Sequence, residues 1–128
     1  MKSLLFALLF AVSCSFSAFS AEFADISQKD LAAAIAAKQV VLLDVNGSES
    51  YKAGHIPGAI DFDATKEADL AKTLPADKGA LIVAYCGGPQ CGAWHGGAEA
   101  AAKLGYTNVK HFREGIAGWK SSGASVEK

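Results

Sequence analysis

The chain has 128 residues, with 12 basic and 13 acidic side chains, a formal net charge of −1 and three cysteines. This balance excludes a strongly basic surface for nucleic acid, and so few cysteines do not make a disulfide scaffold. The chain must therefore fold around its own hydrophobic core.

The first 20 residues have the layout of a secretory signal. Lys2 precedes an apolar run over residues 4–12, and small residues at Ala18 and Ser20 predict cleavage before Ala21. The run is too short to span a bilayer, so no stable membrane insertion is expected after cleavage. Residues 21–128 then form one exported domain, periplasmic or secreted. The stretch "AVSC" also fits a lipobox, which would instead leave a lipid anchor on Cys14.

The mature segment alternates apolar runs with helical patterns. Buried runs predict strands over 22–26, 40–45, 81–85 and 109–112, and periodic or capped segments predict helices over 27–37, 64–74, 92–104 and 116–121. Strands separated by helices imply a parallel sheet covered on both faces. We therefore predict an α/β fold of three layers, with a parallel sheet of about five strands.

The segment "VAYCGGPQCGAW" (83–94) carries the residue types of thiolate chemistry. Cys86 ends a predicted strand, and ligands of open parallel sheets bind beyond the carboxyl ends of the strands. The following helix directs free N–H groups and its positive dipole end toward Cys86, and glycines with positive φ are expected to turn loop amides inward. This cradle favours a nucleophilic thiolate at Cys86. The predicted anion-binding residues are Gly87, Gly88, Gln90, Cys91 and Gly92.

Three segments in order resemble a single rhodanese-like domain: "LLDVNGSESYKAGHIPGAI" (42–60), "VAYCGGPQCGAW" (83–94) and "LGYTNVKHFREGIAGWKSSG" (104–123). The resemblance implies that 21–128 is one such domain, that Cys86 carries sulfur and that 86–91 is the active-site loop. Its substrates would be a small sulfur-containing anion, thiosulfate or polysulfide, and a thiol acceptor. Cys86 would take the outer sulfur of thiosulfate, release sulfite and hold a persulfide, without a cofactor.

The chain departs from this family at its basic residues. Many members carry an arginine or another basic residue in or just after the loop, and the triplet "DVR". This chain instead has Cys91 as the sixth loop residue, Gly92 after it and Asn46 in the triplet. Arg113, the single arginine, follows the last predicted strand and can supply the missing charge; His95 is a second candidate.

Cys91 opens two alternatives to simple sulfur transfer. It can act as a resolving cysteine that attacks a Cys86 persulfide, provided that the two Cα atoms lie within about 7 Å. The Cys86/Cys91 pair can also be the reagent of a thiol–disulfide redox protein. A catalytically silent binding module with the same fold is the third possibility.

The remaining polar and aromatic residues are predicted mainly as structural. His55 in "GHIPGA" is expected to form a local hydrogen bond, and buried Asp44 needs loop N–H groups or His55 as partners. Trp94 either walls the pocket or packs in the core. The spacing C-x4-C-x3-H lacks the paired pattern of zinc sites, so no metal site is predicted.

Overall fold

The computed structural model of the protein describes residues 22–128. In chain order the elements are β1 (Ala24–Asp25), α1 (Gln28–Ala36), β2 (Val41–Asp44), α2 (Ser48–Ala53), β3 (Ile60–Asp61), α3 (Glu67–Thr73), β4 (Leu81–Tyr85), α4 (Trp94–Lys103), β5 (Asn108–His111) and α5 (Gly115–Ser121). The predicted signal over 1–20 and the alternative anchor at Cys14 lie outside these residues. Within 22–128, no helix has the length and apolar character needed to cross a membrane.

The sheet has five strands in the order β1-β5-β4-β2-β3, and every neighbouring pair is parallel. This confirms the predicted α/β fold and strand number. The strand β4 is central, with β5 on one side and β2 on the other. Its carboxyl end is therefore flanked by the ends of two neighbouring strands, which is where the cysteine loop begins.

Helices cover both faces of the sheet, because alternate strand residues face two separate cores. Leu43, Ile82 and Ala84 pack on one face with residues of α3 and α4, such as Leu70 and Ala98. The opposite core includes Leu42, Val83 and Tyr85 with Leu31 of α1 and Trp119 of α5. The predicted arrangement of three layers, a sheet with helices on both faces, is thus confirmed.

The helix α1 begins where the sequence predicts it. The side-chain oxygen of Ser27 accepts a hydrogen bond from the Asp30 amide at 3.1 Å, which satisfies one of the free donors of the first turn. Leu31 is the fully buried side chain of this helix, and its packing fixes α1 against the sheet.

The predicted boundaries differ most between residues 46 and 67. The helix predicted over 64–74 begins at Glu67, because the amide and hydroxyl of Thr65 both bond to the carbonyl of Asp61 and hold the chain in a turn. The sequence predicts no regular element over 46–62, yet this stretch contains α2 and the two-residue strand β3.

Candidate active site

Cys86 lies at the carboxyl end of the central strand. Cys86 directly follows β4 and is 1% exposed to solvent. The neighbouring strands end at the same edge: Asp44 of β2 is in register with Tyr85, and His111 of β5 is in register with Ala84. A buried carboxyl and a buried imidazole therefore end the two strands that flank β4.

The loop after Cys86 is held from outside by the start of α5. The amide of Ile116 donates to the carbonyl oxygen of Cys86 at 2.9 Å, and the amide of Ala117 donates to that of Gly87 at 3.0 Å. Gly115 makes this approach possible, since a Cβ there would lie 2.5 Å from the Cys86 carbonyl oxygen. Its φ of +61° is also one that glycine adopts at little cost. The helix α5 thus fixes the first two peptide units of the loop.

A tight turn completes the loop. The amide of Cys91 donates to the carbonyl of Gly88 at 3.1 Å, with Pro89 at the second turn position, where proline is favoured. Within residues 22–128, the remaining loop amides donate to no backbone or side-chain acceptor; they belong to Gly87, Gly88, Gln90 and Gly92. The loop therefore offers free donors suited to an anion.

The expectation of positive φ angles at the loop glycines is wrong. The described glycines with positive φ include Gly115 and exclude Gly87, Gly88 and Gly92. A Cβ on Gly87 or Gly88 would make ordinary contacts, at 3.5 Å and 3.8 Å. The glycine that needs a positive φ is instead Gly115, at the start of α5, which contacts the backbone of the loop.

Cys86 and Cys91 are joined by a disulfide bond, with their Cα atoms 6.3 Å apart. This distance satisfies the condition stated above for a resolving cysteine. Cys91 is half-buried, whereas Cys86 is fully buried. In this state Cys91 covers the residue predicted to be the nucleophile, and access to the Cys86 sulfur requires reduction of the bond.

A buried hydrogen-bond network includes Tyr85, the residue that precedes Cys86 in the chain. The Tyr85 hydroxyl donates to the Asp44 carboxyl at 2.8 Å and accepts from the backbone amide of Ile56 at 3.1 Å. The backbone amide of Asn46 also donates to the Asp44 carboxyl, at 2.9 Å. Burial raises the pKa of Asp44, and these two donors oppose the rise. Burial raises the pKa of Tyr85 as well, so its hydroxyl stays protonated. The predicted loop N–H partner of Asp44 is correct, but the sequence did not indicate Tyr85.

His55 forms the local hydrogen bond that the sequence predicts. Its Nδ1 lies 2.8 Å from the carbonyl of Tyr51, and the two rings stack with centroids 3.7 Å apart. Its backbone also pairs with Glu127 in both directions at 2.9 Å. The 55–58 turn is thus fastened to the C-terminal segment, and His55 has a structural role.

Trp94 lies between two imidazoles at the start of α4. Its ring centroid is 3.6 Å from that of His111 and 3.8 Å from that of His95. His111 Nδ1 lies 3.2 Å from a carboxylate oxygen of Asp25. Burial lowers the pKa of His111, and Asp25 opposes this shift. Trp94 also packs against the core that contains Leu70 and Ala98, which is one of the two roles expected for it.

The two predicted basic candidates are both exposed. Arg113 follows β5 and precedes Gly115 by two residues, which places its backbone near the loop. His95 is exposed on α4 and stacks on Trp94. Asn46, which replaces the family's arginine, is half-buried, and its Oδ1 would lie 3.5 Å from a Cβ on Gly87. A neutral amide thus borders the loop.

Comparison with known proteins agrees with this arrangement. The sequence matches the Rhodanese-like domain family over residues 27–122. It is 33% identical over 104 residues to the thiosulfate sulfurtransferase GlpE of Pseudomonas entomophila, a match that covers 79% of this chain and 88% of that protein. An HTH-type transcriptional regulator of Mycobacterium tuberculosis is 37% identical over 92 residues, which are 72% of this chain and 39% of the regulator's length.

A solved structure shows the same fold. The BH2092 protein of Bacillus halodurans superposes with a TM-score of 0.63 at 30% identity, over 81% of this chain and 76% of that one. The five-stranded parallel sheet, the cysteine at the end of its central strand and the family match over residues 27–122 lead to one conclusion: the chain belongs to the rhodanese-like domain family.

Proposed function

We propose that this protein is a sulfurtransferase that carries sulfane sulfur as a persulfide on Cys86. The donor is a small sulfur-containing anion, thiosulfate or polysulfide, and the acceptor is a thiol. The similarity to a thiosulfate sulfurtransferase over most of both chains supports this class of reaction. No metal or organic cofactor takes part in the proposed steps.

One observation carries the proposal. The carbonyls of Cys86 and Gly87 are bound to α5, while the amides of Gly87, Gly88, Gln90 and Gly92 have no acceptor within the described chain. Peptide units whose carbonyls are held on one side leave their N–H groups for a ligand on the other. Such donors stabilise the thiolate, the persulfide and the charge that develops in the transition state.

The reaction proceeds in two displacements. The reduced Cys86 thiolate attacks the outer sulfur of thiosulfate, the sulfur–sulfur bond breaks, and sulfite leaves with the bonding electron pair. An acceptor thiolate then attacks the outer sulfur of the persulfide, and Cys86 leaves as the thiolate. The enzyme is covalently modified between the two steps, which predicts ping-pong kinetics.

The disulfide favours a second candidate function. A bonded Cys86–Cys91 pair with Cα atoms 6.3 Å apart is what a thiol–disulfide redox protein requires. A purely redox protein would exchange electrons with other thiols and take up no sulfur. A silent binding module would do neither.

The test uses Cys91→Ser, which cannot form the disulfide and keeps Cys86 free. We expect thiosulfate to add the mass of one sulfur atom to this variant and to release one sulfite per chain, and polysulfide to give the same adduct. Cys86→Ser is the matched control and should show neither change. Absence of an adduct with both donors would contradict the sulfurtransferase proposal.

We further propose that Arg113 contributes to binding the thiosulfate dianion, since it is exposed near the loop and the chain has no other arginine. An exposed charge of this kind is worth about 0.2–1 kcal/mol, so Arg113→Ala should raise KM about 1.4- to fivefold. Arg113→Lys should restore most of the affinity. An unchanged KM in Arg113→Ala would remove this residue from the site.

The location of the mature protein is also a proposal. Residues 1–20 support export to the periplasm or beyond, with a lipid anchor at Cys14 as the alternative. The mass of the mature N-terminal peptide distinguishes cleavage before Ala21 from a lipidated Cys14, and an intact Met1 would contradict both.

A further inference from the structure

The disulfide places the second cysteine where it can act on the first. Cys91 lies five positions after Cys86, and the turn closed by the Cys91 amide and the Gly88 carbonyl brings the second sulfur back to the strand end. The bond forms within the folded domain, while the sheet and α5 keep their hydrogen bonds to the loop. The Cys91 sulfur can therefore reach the Cys86 sulfur in the native structure.

We propose that Cys91 resolves the Cys86 persulfide and that the protein thereby reduces sulfane sulfur to sulfide. The proposal rests on the proposed function, because a persulfide on Cys86 is its starting point. It adds a reaction: a donor such as thiosulfate and an external dithiol are converted to sulfite, sulfide and the oxidised dithiol.

The resolving step balances within the chain. The Cys91 thiolate attacks the inner sulfur, which is Cys86 Sγ, and the bond from Cys86 Sγ to the outer sulfur breaks. The outer sulfur leaves with the electron pair as hydrosulfide, taking up the proton lost by Cys91. The outer sulfur is reduced, the two cysteine sulfurs are oxidised, and the product is the Cys86–Cys91 disulfide of this structure.

The burial of the two cysteines sets the direction of the reductive step. Cys86 is 1% exposed and Cys91 is half-buried, so an external thiolate reaches the Cys91 sulfur first. Attack on the Cys91 sulfur makes the Cys86 thiolate the leaving group, and the free amides of the loop stabilise its charge. A stabilised thiolate leaves faster, and this route returns the nucleophile in its reactive form. A dithiol then closes its own disulfide and releases Cys91.

Competition with external acceptors favours the internal thiol. A group tethered by a few residues acts at an effective concentration in the millimolar range or above, and a preorganised loop raises it further. The persulfide of the wild type is therefore expected to be short-lived. The sulfur taken from the donor then reaches solution as sulfide, and the partner that restores the enzyme is a dithiol reductant.

The experiment compares reduced wild type with Cys91→Ser after excess reductant is removed. Each is mixed with thiosulfate, and sulfite, sulfide and intact mass are followed through one turnover. The wild type should release one sulfite and one sulfide per chain and end two hydrogen masses lighter than the reduced form. Cys91→Ser should release sulfite, retain the added sulfur and release sulfide at least about tenfold more slowly, which corresponds to about 1.4 kcal/mol in the barrier.

Two controls test whether the Cys91 thiol of the same chain releases the sulfide. Lys29→Ala alters an exposed residue of α1, keeps both thiols and should release sulfide as the wild type does. The first-order rate constant for sulfide release should be independent of protein concentration, since both sulfurs belong to one chain.

The outcomes also separate the two proposals. A wild-type chain that releases sulfite but keeps its persulfide overturns the resolving role and leaves the sulfurtransferase intact. A first-order rate constant for sulfide release that increases with protein concentration also overturns it. Absence of the sulfur adduct on Cys91→Ser with both donors overturns both proposals.

Discussion

Gly115 lies directly against the carbonyl group of Cys86, so close that a Cβ on this glycine would be 2.5 Å from the Cys86 oxygen and 2.7 Å from the Gly88 nitrogen. Gly115→Ala must therefore displace the loop. A misplacement of about 1 Å near the reacting atoms can cost about a hundredfold in rate. We expect sulfite release by Gly115→Ala to fall by about this factor.

Gly123 supplies the matched control. Its φ of +80° is also in the left-handed region, but nothing lies within 4 Å of the Cβ that Gly123→Ala would add. Gly123→Ala should lower the unfolding free energy by about 1–2 kcal/mol, the cost of placing alanine at a positive φ. It should release sulfite at the wild-type rate. Equal rates for the two variants, both folded by circular dichroism, would show that Gly115 does not position the loop.

The paired glycines of α4 have opposite surroundings. A Cβ on Gly97 would lie 2.7 Å from Val45 Cγ2, whereas a Cβ on Gly96 would meet nothing within 4 Å. Gly97→Ala should destabilise the protein by about 1–3 kcal/mol through overpacking. Gly96→Ala should stabilise it by about 0.5–1 kcal/mol, because alanine is the better helix former. Urea unfolding measures both, and a stabilising Gly97→Ala would contradict the close packing of α4 on β2.

The Tyr85 hydroxyl connects Asp44 with the Ile56 amide inside the core. Tyr85→Phe leaves a buried amide without its acceptor and a carboxyl without one donor, at a cost of about 1–3 kcal/mol. Tyr51→Phe, which removes a half-buried hydroxyl bonded to the Ala59 carbonyl at 2.7 Å, should cost less.

The pH dependence of Tyr85→Phe provides a second measurement. Since burial raises the pKa of Asp44 above its ordinary 3.8, the stability contributed by its protonated form is lost as the pH rises through the raised pKa. The lost donor should make this ionisation more costly. The unfolding free energy of the variant should therefore fall further below that of the wild type at neutral pH than in acid. A difference that stays constant with pH would argue against the role of Tyr85.

His111 is expected to make the fold sensitive to acid. Because burial lowers its pKa below the ordinary 6.5, the neutral ring contributes stability above pH 6.5 that is lost as the pH falls from 6.5 through the lowered pKa. The unfolding free energy should decline over that range, and His111→Gln should flatten the decline.

Asp25 tests the cause of this sensitivity. Its carboxylate, 3.2 Å from His111 Nδ1, raises the pKa of the ring, so Asp25→Asn should lower that pKa further and steepen the decline. His95→Asn removes an exposed imidazole and should keep most of the wild-type decline in unfolding free energy with falling pH. An identical pH dependence in wild type and His111→Gln would show that His111 is not responsible.

The sequence predicts well the parts of the fold whose residues are buried in a regular pattern. The strand over 81–85 is an apolar run between polar segments, and its ends agree with β4. The helix α2 escapes prediction because it begins after Gly47 with no side-chain cap and buries none of its residues. The strand β3 is two residues long and half-buried, which is too little to produce a pattern.

The site is predictable where it depends on one segment and not where it depends on distant ones. Cys86, Cys91 and the loop glycines are contiguous, so their proximity follows from the sequence. The contact of Gly115 with Cys86 depends on how α5 packs after β5, which no local pattern reveals. The bond between Tyr85 and Asp44 follows from the register of β2 and β4. A signal for it exists, since both residues end strands that meet at one edge.

The dependence of the loop on Ile116 and Ala117 has a consequence for biosynthesis. These donors are delivered about thirty residues after the cysteine they hold, and a nascent chain that has emerged only through Cys91 lacks β5 as well as α5. Domains complete their structure as the chain is delivered from its N-terminus. The loop over residues 86–91 is thus among the last parts to assemble, and a chain arrested before Gly115 would carry both thiols without the backbone hydrogen bonds that hold this loop in place.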